Sequence, residues 1–308
     1  MAHRGRMRRN HPLPPALASR PFTVGEAAEL GVGAGRLRGG DLRRPFHGIR
    51  MSRSLAADVA DLAAAYATRM PPDQYFSHWT AAVLLGLRLP EGRVPTSLDV
   101  SVPSPRRAPR LRGVRGHEQL PSARTRTLPS GLRVSDPVET WCHLAAELSL
   151  DELIIMGDGL VSRQAPLASL SELTAAVAGW GARRGAHLLR RALPEIRCRT
   201  DSARETILRL LIVRAGLPEP EVNLVICNSF GVVIGLGDLG YQKYRVLLEY
   251  DGGQHRADER QFHIDIARLD AFMEEKWRVI RVNKSLMRQR ATLLDKVRTA
   301  LEAAGWAG

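Results

Sequence analysis

The residues with the clearest chemical potential lie in one run, Asp238-Leu-Gly-Tyr-Gln-Lys-Tyr-Arg-Val-Leu-Leu-Glu-Tyr-Asp-Gly-Gly-Gln-His255. An apolar stretch, Val246-Leu247-Leu248, carries Glu249 and Asp251 to a strand end, beside a Gly-Gly turn and His255. Asp238 sits one hairpin upstream. Carboxylates at a strand end are costly to bury unless a cation accompanies them. Adjacent antiparallel strands bring residues on either side of a turn within reach, so Asp238 and Glu249 are expected to share one divalent ion. Hard carboxylate oxygens with positions left open for water suit Mg2+ or Mn2+ rather than zinc. Such an ion acidifies a bound water and stabilises charge on a phosphoryl group, so the chemistry implied is phosphodiester hydrolysis. Glu205, in the first turn of a preceding helix, is a third acid that the expected topology brings towards the pair.

The elements that must hold these acids read as one unit, residues 199–308. Ser202-x-x-Glu205 opens an amphipathic helix that Gly216 and Pro218 close. Strands at 222–227 and 232–239 flank the turn Asn228-Ser-Phe-Gly231, and a third strand follows at 244–250. A helix over 257–276 then leads to a strand at 277–282. A strand, a helix of that length and another strand form a crossover, so the third and fourth strands should run parallel. A last helix, 286–304, covers one face. Simpler roles exist for several of these residues. Glu205 can be the capping partner of Ser202 alone, Asp238 a turn residue between glycines, and Arg268 the helical partner of Asp265.

The charge of the chain points to its partner. Its 308 residues carry 45 basic against 32 acidic side chains, a formal net charge of +13, which favours nucleic acid over acidic small molecules. Lysine occurs only at 243, 276, 284 and 296, so the positive charge is almost wholly arginine. Arginine grips phosphate bidentately but is no general base near neutral pH. Residues 1–20 read as a disordered basic tail. Over 21–54, a Thr23-x-x-Glu26 capping box, a glycine stop at Gly31, a second short helix over 33–39 and an extended piece give a winged helix-turn-helix pattern. Arg36, Arg38, Arg43 and Arg44 are its candidate DNA contacts. Residues 55–198 form a mostly helical middle region of unknown role. Within it, 103–134 holds eight arginines against one acid, as a basic surface loop or a strand pair along a phosphate backbone. His78, His117 and His143 are not at metal-ligand spacing and read as packed or surface residues. Three scattered cysteines form no CxxC pair, and no stretch approaches a membrane span or a signal peptide, so a cytoplasmic protein is expected.

From about residue 201 to 304 the chain resembles the very-short-patch-repair-like endonuclease domains known as DUF559, members of the PD-(D/E)xK nuclease superfamily. The resemblance rests on Ser202-Ala-Arg-Glu205-Thr206, Gly216-Leu-Pro-Glu-Pro220, Asp238, Glu249-Tyr-Asp251-Gly-Gly-Gln-His255, Asp265-Ile-Ala-Arg268 and Trp277-Arg-Val-Ile-Arg281-Val. It implies a restriction-endonuclease-like α/β domain with an α+β mixed sheet. It also implies Asp238 and Glu249 as metal ligands, and Glu205 as the helix acid that orients a water or the metal. Where the superfamily carries a lysine two residues past the second acid, this chain has Asp251. His255, with an unperturbed pKa near physiological pH, is then the candidate for proton transfer, and Asp251 either orients it or adds a ligand. The front of the chain is similar to AbiEi-type antitoxin winged-helix domains, through Phe22-Thr23, Gly31 and Arg43-Arg44-Pro45…Gly48-Ile49-Arg50. The function expected is a Mg2+-dependent DNA endonuclease targeted by its basic front. The alternative is an inactive DNA-binding regulator of the antitoxin or repressor type.

Overall fold

Alternation of small polar and apolar residues in Leu98-Asp99-Val100-Ser101-Val102 sets one face of a sheet against a hydrophobic core and the other against polar side chains. The structure, a computed structural model, describes residues 11–56, 58–93, 95–251 and 259–308, with the side chains of 259–266 left out. It divides into two compact units, Met1–Leu144 and Ala145–Gly308. The sequence pattern sets its boundary at 198/199 instead, between helices that the second unit holds together.

The first unit opens with helix α1 (Pro15–Ala18), strand β1 (Phe22–Thr23) and helix α2 (Val24–Glu29). Strands β2 (Leu42–Arg43) and β3 (Ile49–Ser52) complete an antiparallel sheet of order β1-β3-β2. Thr23 and Glu26 form the expected capping box, each side chain accepting from the other's backbone N–H at 3.0 and 2.7 Å. Two expectations are corrected here. Residues up to 20 do not all belong to a disordered tail, because α1 buries Leu17 completely against Phe22, Ala27, Leu37 and Leu42. The second helix over 33–39 is a single 3-10 turn, Arg36–Arg38, closed by an extended Gly39.

Helix α3 (Val59–Ala67) leads to β4 (Tyr75–Phe76), α4 (His78–Leu84), β5 (Leu98–Pro103) and β6 (Arg110–Leu111). Next come β7 (Val114–Gln119), β8 (Thr125–Thr127), β9 (Arg133–Ser135) and α5 (Pro137–Leu144). These strands build a six-stranded mixed sheet of order β6-β7-β5-β4-β9-β8, in which β5 with β7 and β4 with β9 are parallel. The mostly helical expectation therefore fails over 98–135, where β5 to β9 lie, while α4 is helical and the strand alternative for 103–134 is the one observed. Strands of two or three residues are too short to display a period of two, so alternation in the sequence could not reveal them. Phe76, Leu98, Val100 and Val134 pack with Val59, Ala63 and Tyr66 of α3. On the polar side, the ring of His78 stacks on His117 at 3.8 Å and on His143 at 4.7 Å between centroids. His117 Nε2 lies 2.8 Å from Asp99 Oδ1. Burial, with its histidine neighbours adding to it, holds His78 far below the ordinary imidazole range.

In the second unit the helical reading holds: α6 (Leu150–Leu160), α7 (Leu170–Trp180) and α8 (Ala186–Ala192) precede α9 (Ala203–Arg214). Capping boxes at Ser149/Glu152 and Ser169/Glu172 start the first two. A four-stranded sheet follows, β10 (Glu221–Cys227), β11 (Val233–Tyr241), β12 (Val246–Asp251) and β13 (Arg278–Asn283), in that order. The first three strands are antiparallel, and β12 and β13 run parallel across the helix α10 (Glu259–Glu274). Helices α11 (Lys284–Arg288) and α12 (Arg290–Ala303) end the chain. One core sets Leu208 and Ile212 of α9 and Leu293, Val297 and Leu301 of α12 against Leu239, Leu248 and Ile280 of the sheet. A second sets Phe272 of α10 against Leu224, Ile226 and Leu247. Each fully buried leucine contributes about 1.5–3 kcal/mol, so the sheet is fixed from both faces.

A buried ion pair ties α6 to α9. Arg209, 1% exposed, donates to Asp158 at 3.1 Å and to Glu219 at 2.8 Å. Asp158 also accepts from the Thr206 hydroxyl at 2.9 Å and from the Arg197 N–H at 2.7 Å. Among the described residues no helix is long and apolar enough to cross a membrane.

Candidate active site

Three acids approach one another on α9, β11 and β12, and each is placed by a different local device. Glu205 lies in the first turn of α9, whose N-cap, Ser202, accepts from the Glu205 N–H at 3.2 Å. The Ser202 hydroxyl also reaches its carboxylate, but no capping box closes on the Ser202 backbone N–H. Oε2 accepts from the Asp201 N–H at 2.8 Å and from Asn223 Nδ2 at 3.3 Å. Asn223 can do this because its backbone takes the left-handed region, φ +48°, which asparagine tolerates better than most residues. Glu205 is 5% exposed. Burial pushes its carboxyl up to about 7, the Asp238 charge adds to the shift, and the Asp201 N–H opposes it.

Register places the other two acids. The β11–β12 ladder pairs Tyr241 with Val246, Gly240 with Leu247 and Leu239 with Leu248, so the next positions are Asp238 and Glu249. There the side chains take over from the ladder. Glu249 Oε1 accepts from the Asp238 N–H at 3.3 Å, and Asp238 Oδ2 accepts from the Tyr250 N–H at 2.7 Å. Glu249, 7% exposed, is pushed up to about 7 by burial and then by Asp238, against the pull of Arg268. The Arg268 guanidinium bridges Glu249 Oε2 at 3.0 Å and the Leu236 carbonyl at 2.7 Å. Helix α10 comes this close because β11 has a glycine at 235. A Cβ there would stand 2.8 Å from Phe272 Cζ and 3.1 Å from Arg268 Cγ.

The structure thus brings Glu205 and Glu249 each within electrostatic reach of Asp238. Asp251 faces another partner, Arg281 on the parallel strand β13, at 2.9 Å. His255 lies outside the described residues, as does the side chain of Asp265. Among the described residues, no group of three or more His, Cys, Asp or Glu side chains is arranged to hold a metal ion. Two residues beside the acids had no such role in the sequence reading. Asn223 carried no signal at all, and Arg268, part of the Asp265-Ile-Ala-Arg268 motif, read as a helical partner of Asp265 ahead of a phosphate contact.

The four arginines expected to touch DNA are in the first unit and differ in their freedom. Arg36 is bonded to both carboxylate oxygens of Asp41, at 2.9 and 2.6 Å, and to the His11 carbonyl. Arg43 donates to the Ala56 carbonyl at 3.1 Å. Arg38 and Arg44 are exposed and form no hydrogen bond or ion pair with a described residue. Comparison with models of known protein families finds none that matches the chain, and no curated protein matches it significantly.

Proposed function

We propose that the chain is a metal-dependent endonuclease that hydrolyses phosphodiester bonds in DNA, in the cytoplasm, with Asp238, Glu249 and Glu205 at its active site. The observation that supports this reading most is a pair of buried carboxyls, Glu205 and Glu249, each pushed up to about 7 by burial and by Asp238. Carboxylates held together in this way favour a bound cation, and an oxygen-only donor set suits Mg2+ or Mn2+. Asp238 and Glu249 would hold the ion. When bound, it would supply Lewis-acid stabilisation of the charge that builds on a phosphodiester.

The remaining roles belong to the chain's own groups. A carboxyl titrating near 7, as Glu205 does, is matched to accept a proton from an attacking water at neutral pH. Arg268 orients Glu249 and offsets one of the three charges. His255 is assigned proton transfer to the leaving group, and Asp251 its orientation or an added ligand. The sheet order β10-β11-β12-β13, with helices on both faces, supports a restriction-endonuclease-like fold for the second unit. Arg38 and Arg44 are the better-placed contacts for DNA in the basic front segment; Arg36 and Arg43 act there only if their present bonds open.

One observation favours a second reading, an inactive DNA-binding regulator: Glu249 already spends an oxygen on Arg268, and no three metal donors converge among the described residues. The two readings separate on supercoiled plasmid with Mn2+, beside the Asp238→Ala and Glu249→Ala variants. Nicking by the wild type that falls at least about 100-fold in both variants supports the nuclease. Cleavage that survives both substitutions overturns the site, and no cleavage of single-stranded, duplex or mismatched DNA favours the regulator.

A further inference from the structure

We infer that the β6–β7 hairpin of the first unit is a contact surface for the phosphate backbone of duplex DNA, built from Arg107, Arg110 and Arg112; this rests on the reading that DNA is the substrate. Between 106 and 115 the chain carries five arginines and no acid, and all five are exposed. Two of them have acidic neighbours: Arg106 lies 3.5 Å from Asp73 and Arg115 lies 3.8 Å from Asp99. Arg107, Arg110 and Arg112 form no hydrogen bond or ion pair with any described residue.

The backbone holds these charges together rather than letting them spread. Arg110 stands directly opposite Arg115 in the antiparallel pair, and Arg112 occupies the turn with Gly113, whose φ is +81°. Like charges directly opposite across two strands are destabilising, so the arrangement costs stability until an anion screens it. The hairpin is also anchored. β7 pairs with β5 at six successive positions, from Leu98↔Val114 to Pro103↔Gln119. The approach to β6 is pinned against β7 at Gly116, where a Cβ would fall on the Pro109 carbonyl oxygen. A preorganised cluster loses less freedom on binding than a flexible arginine loop.

The opposite edge of the same sheet shows what a self-satisfied arginine pair looks like. There Arg124 and Arg126 share Asp136, at 3.7 and 3.1 Å. At the β6 edge the Glu118 carboxylate accepts from the Ala108 N–H at 3.4 Å and pairs with none of Arg107, Arg110 and Arg112. Three guanidinium groups within six residues complement a row of phosphates. A two-stranded ribbon is also narrow enough to follow the major groove, about 12 Å wide, while its arginines reach the flanking strands.

The test uses the full chain in EDTA, with a labelled duplex of about 30 base pairs and affinity measured across a range of salt concentrations. The Arg107→Gln/Arg110→Gln/Arg112→Gln variant should lower the slope of log affinity against log salt by about 2–3 and weaken binding at least 10-fold at low salt. The Arg124→Gln/Arg126→Gln variant should leave the slope within about 0.5 of the wild type. An unchanged slope in the triple variant, an equal loss in both variants, or no duplex binding by the wild type overturns the inference. So does arginine-dependent binding to phosphatidylserine vesicles with duplex affinity unaltered. Plasmid cleavage is scored separately. A wild type that binds without cutting overturns the nuclease reading and leaves the hairpin standing. A wild type that cuts, with the triple-variant slope unchanged, overturns the hairpin alone.

Discussion

Helix α9 carries two buried charged residues one turn apart, Glu205 and Arg209, and their surroundings differ in kind. Around Arg209 the charges balance: Asp158 and Glu219 receive its guanidinium, and a hydroxyl and a backbone N–H complete Asp158. Burial raises the Asp158 carboxyl, with Arg209 the strongest pull against that shift. Around Glu205 the balance tips to the neutral form, although the Arg163 guanidinium, paired with Asp201, also acts on it. Asn223 and a backbone N–H are neutral donors, and the charge nearest in effect is Asp238, another acid. The first cluster is built to hold α6 to α9. On the reading proposed above, the second trades stability for a place where a cation can bind.

Breaking the balanced cluster should have the largest effect. Arg209→Met leaves Asp158 buried without its cation and should cost about 3–5 kcal/mol in urea unfolding. A cost below about 1 kcal/mol would mean that Arg209 is not the staple. Next is the neutral hold on Glu205. Asn223→Gly keeps the left-handed backbone but removes the donor to Glu205 and to the Arg199 carbonyl, and should cost about 2 kcal/mol. The same variant should raise the Glu205 pKa further, visible by carbon-13 carboxyl titration.

The unbalanced cluster should respond with the opposite sign. Asp238→Asn keeps an acceptor for the Tyr250 N–H and removes the charge that raises both neighbours. It should stabilise the metal-free protein by about 1 kcal/mol while abolishing cleavage. Destabilisation together with loss of activity would put Asp238 with the staples.

The smallest effect is a pH slope. Glu205 and Glu249 titrate near 7 when folded, above their ordinary value of 4.5, so the folded state binds the extra protons. Their contribution is fully present below about pH 4.5 and is lost as pH rises through 7. In EDTA the wild-type melting midpoint should therefore fall relative to Asp238→Asn over that window. Mn2+ should raise the wild-type midpoint more at pH 8 than at pH 5.

The second unit was legible from its sequence because its signals are local. An apolar run, a four-residue turn and the capping Ser202 place the strands and α9, and counting outward from the β11–β12 turn pairs Asp238 with Glu249. The partners that complete the site are not local. Arg268 reaches Glu249 through the packing of α10 on Gly235, and Asn223 acts through a backbone conformation that no pattern announces. Arg209 and Asp158 are 51 positions apart on helices whose apolar faces say nothing of a buried ion pair. In the first unit the full extent of the sheet was not legible for a related reason. Its central pairings, β5 with β7 and β4 with β9, are parallel, and β4, β6, β8 and β9 are two or three residues long. The histidines stack across that sheet from positions 78, 117 and 143, so their spacing in sequence could only suggest that they do not share a metal.

The central proposal is that Glu205, Asp238 and Glu249 together bind one divalent ion. Calorimetric titration of Mn2+ into the metal-free protein, in two buffers of different ionisation enthalpy, tests it most directly. The account predicts one bound ion per chain, protons released on binding at pH 6.5 but hardly at pH 8.5, and binding lost in Asp238→Asn. Binding that Asp238→Asn leaves intact, or that releases no protons at pH 6.5, would contradict it.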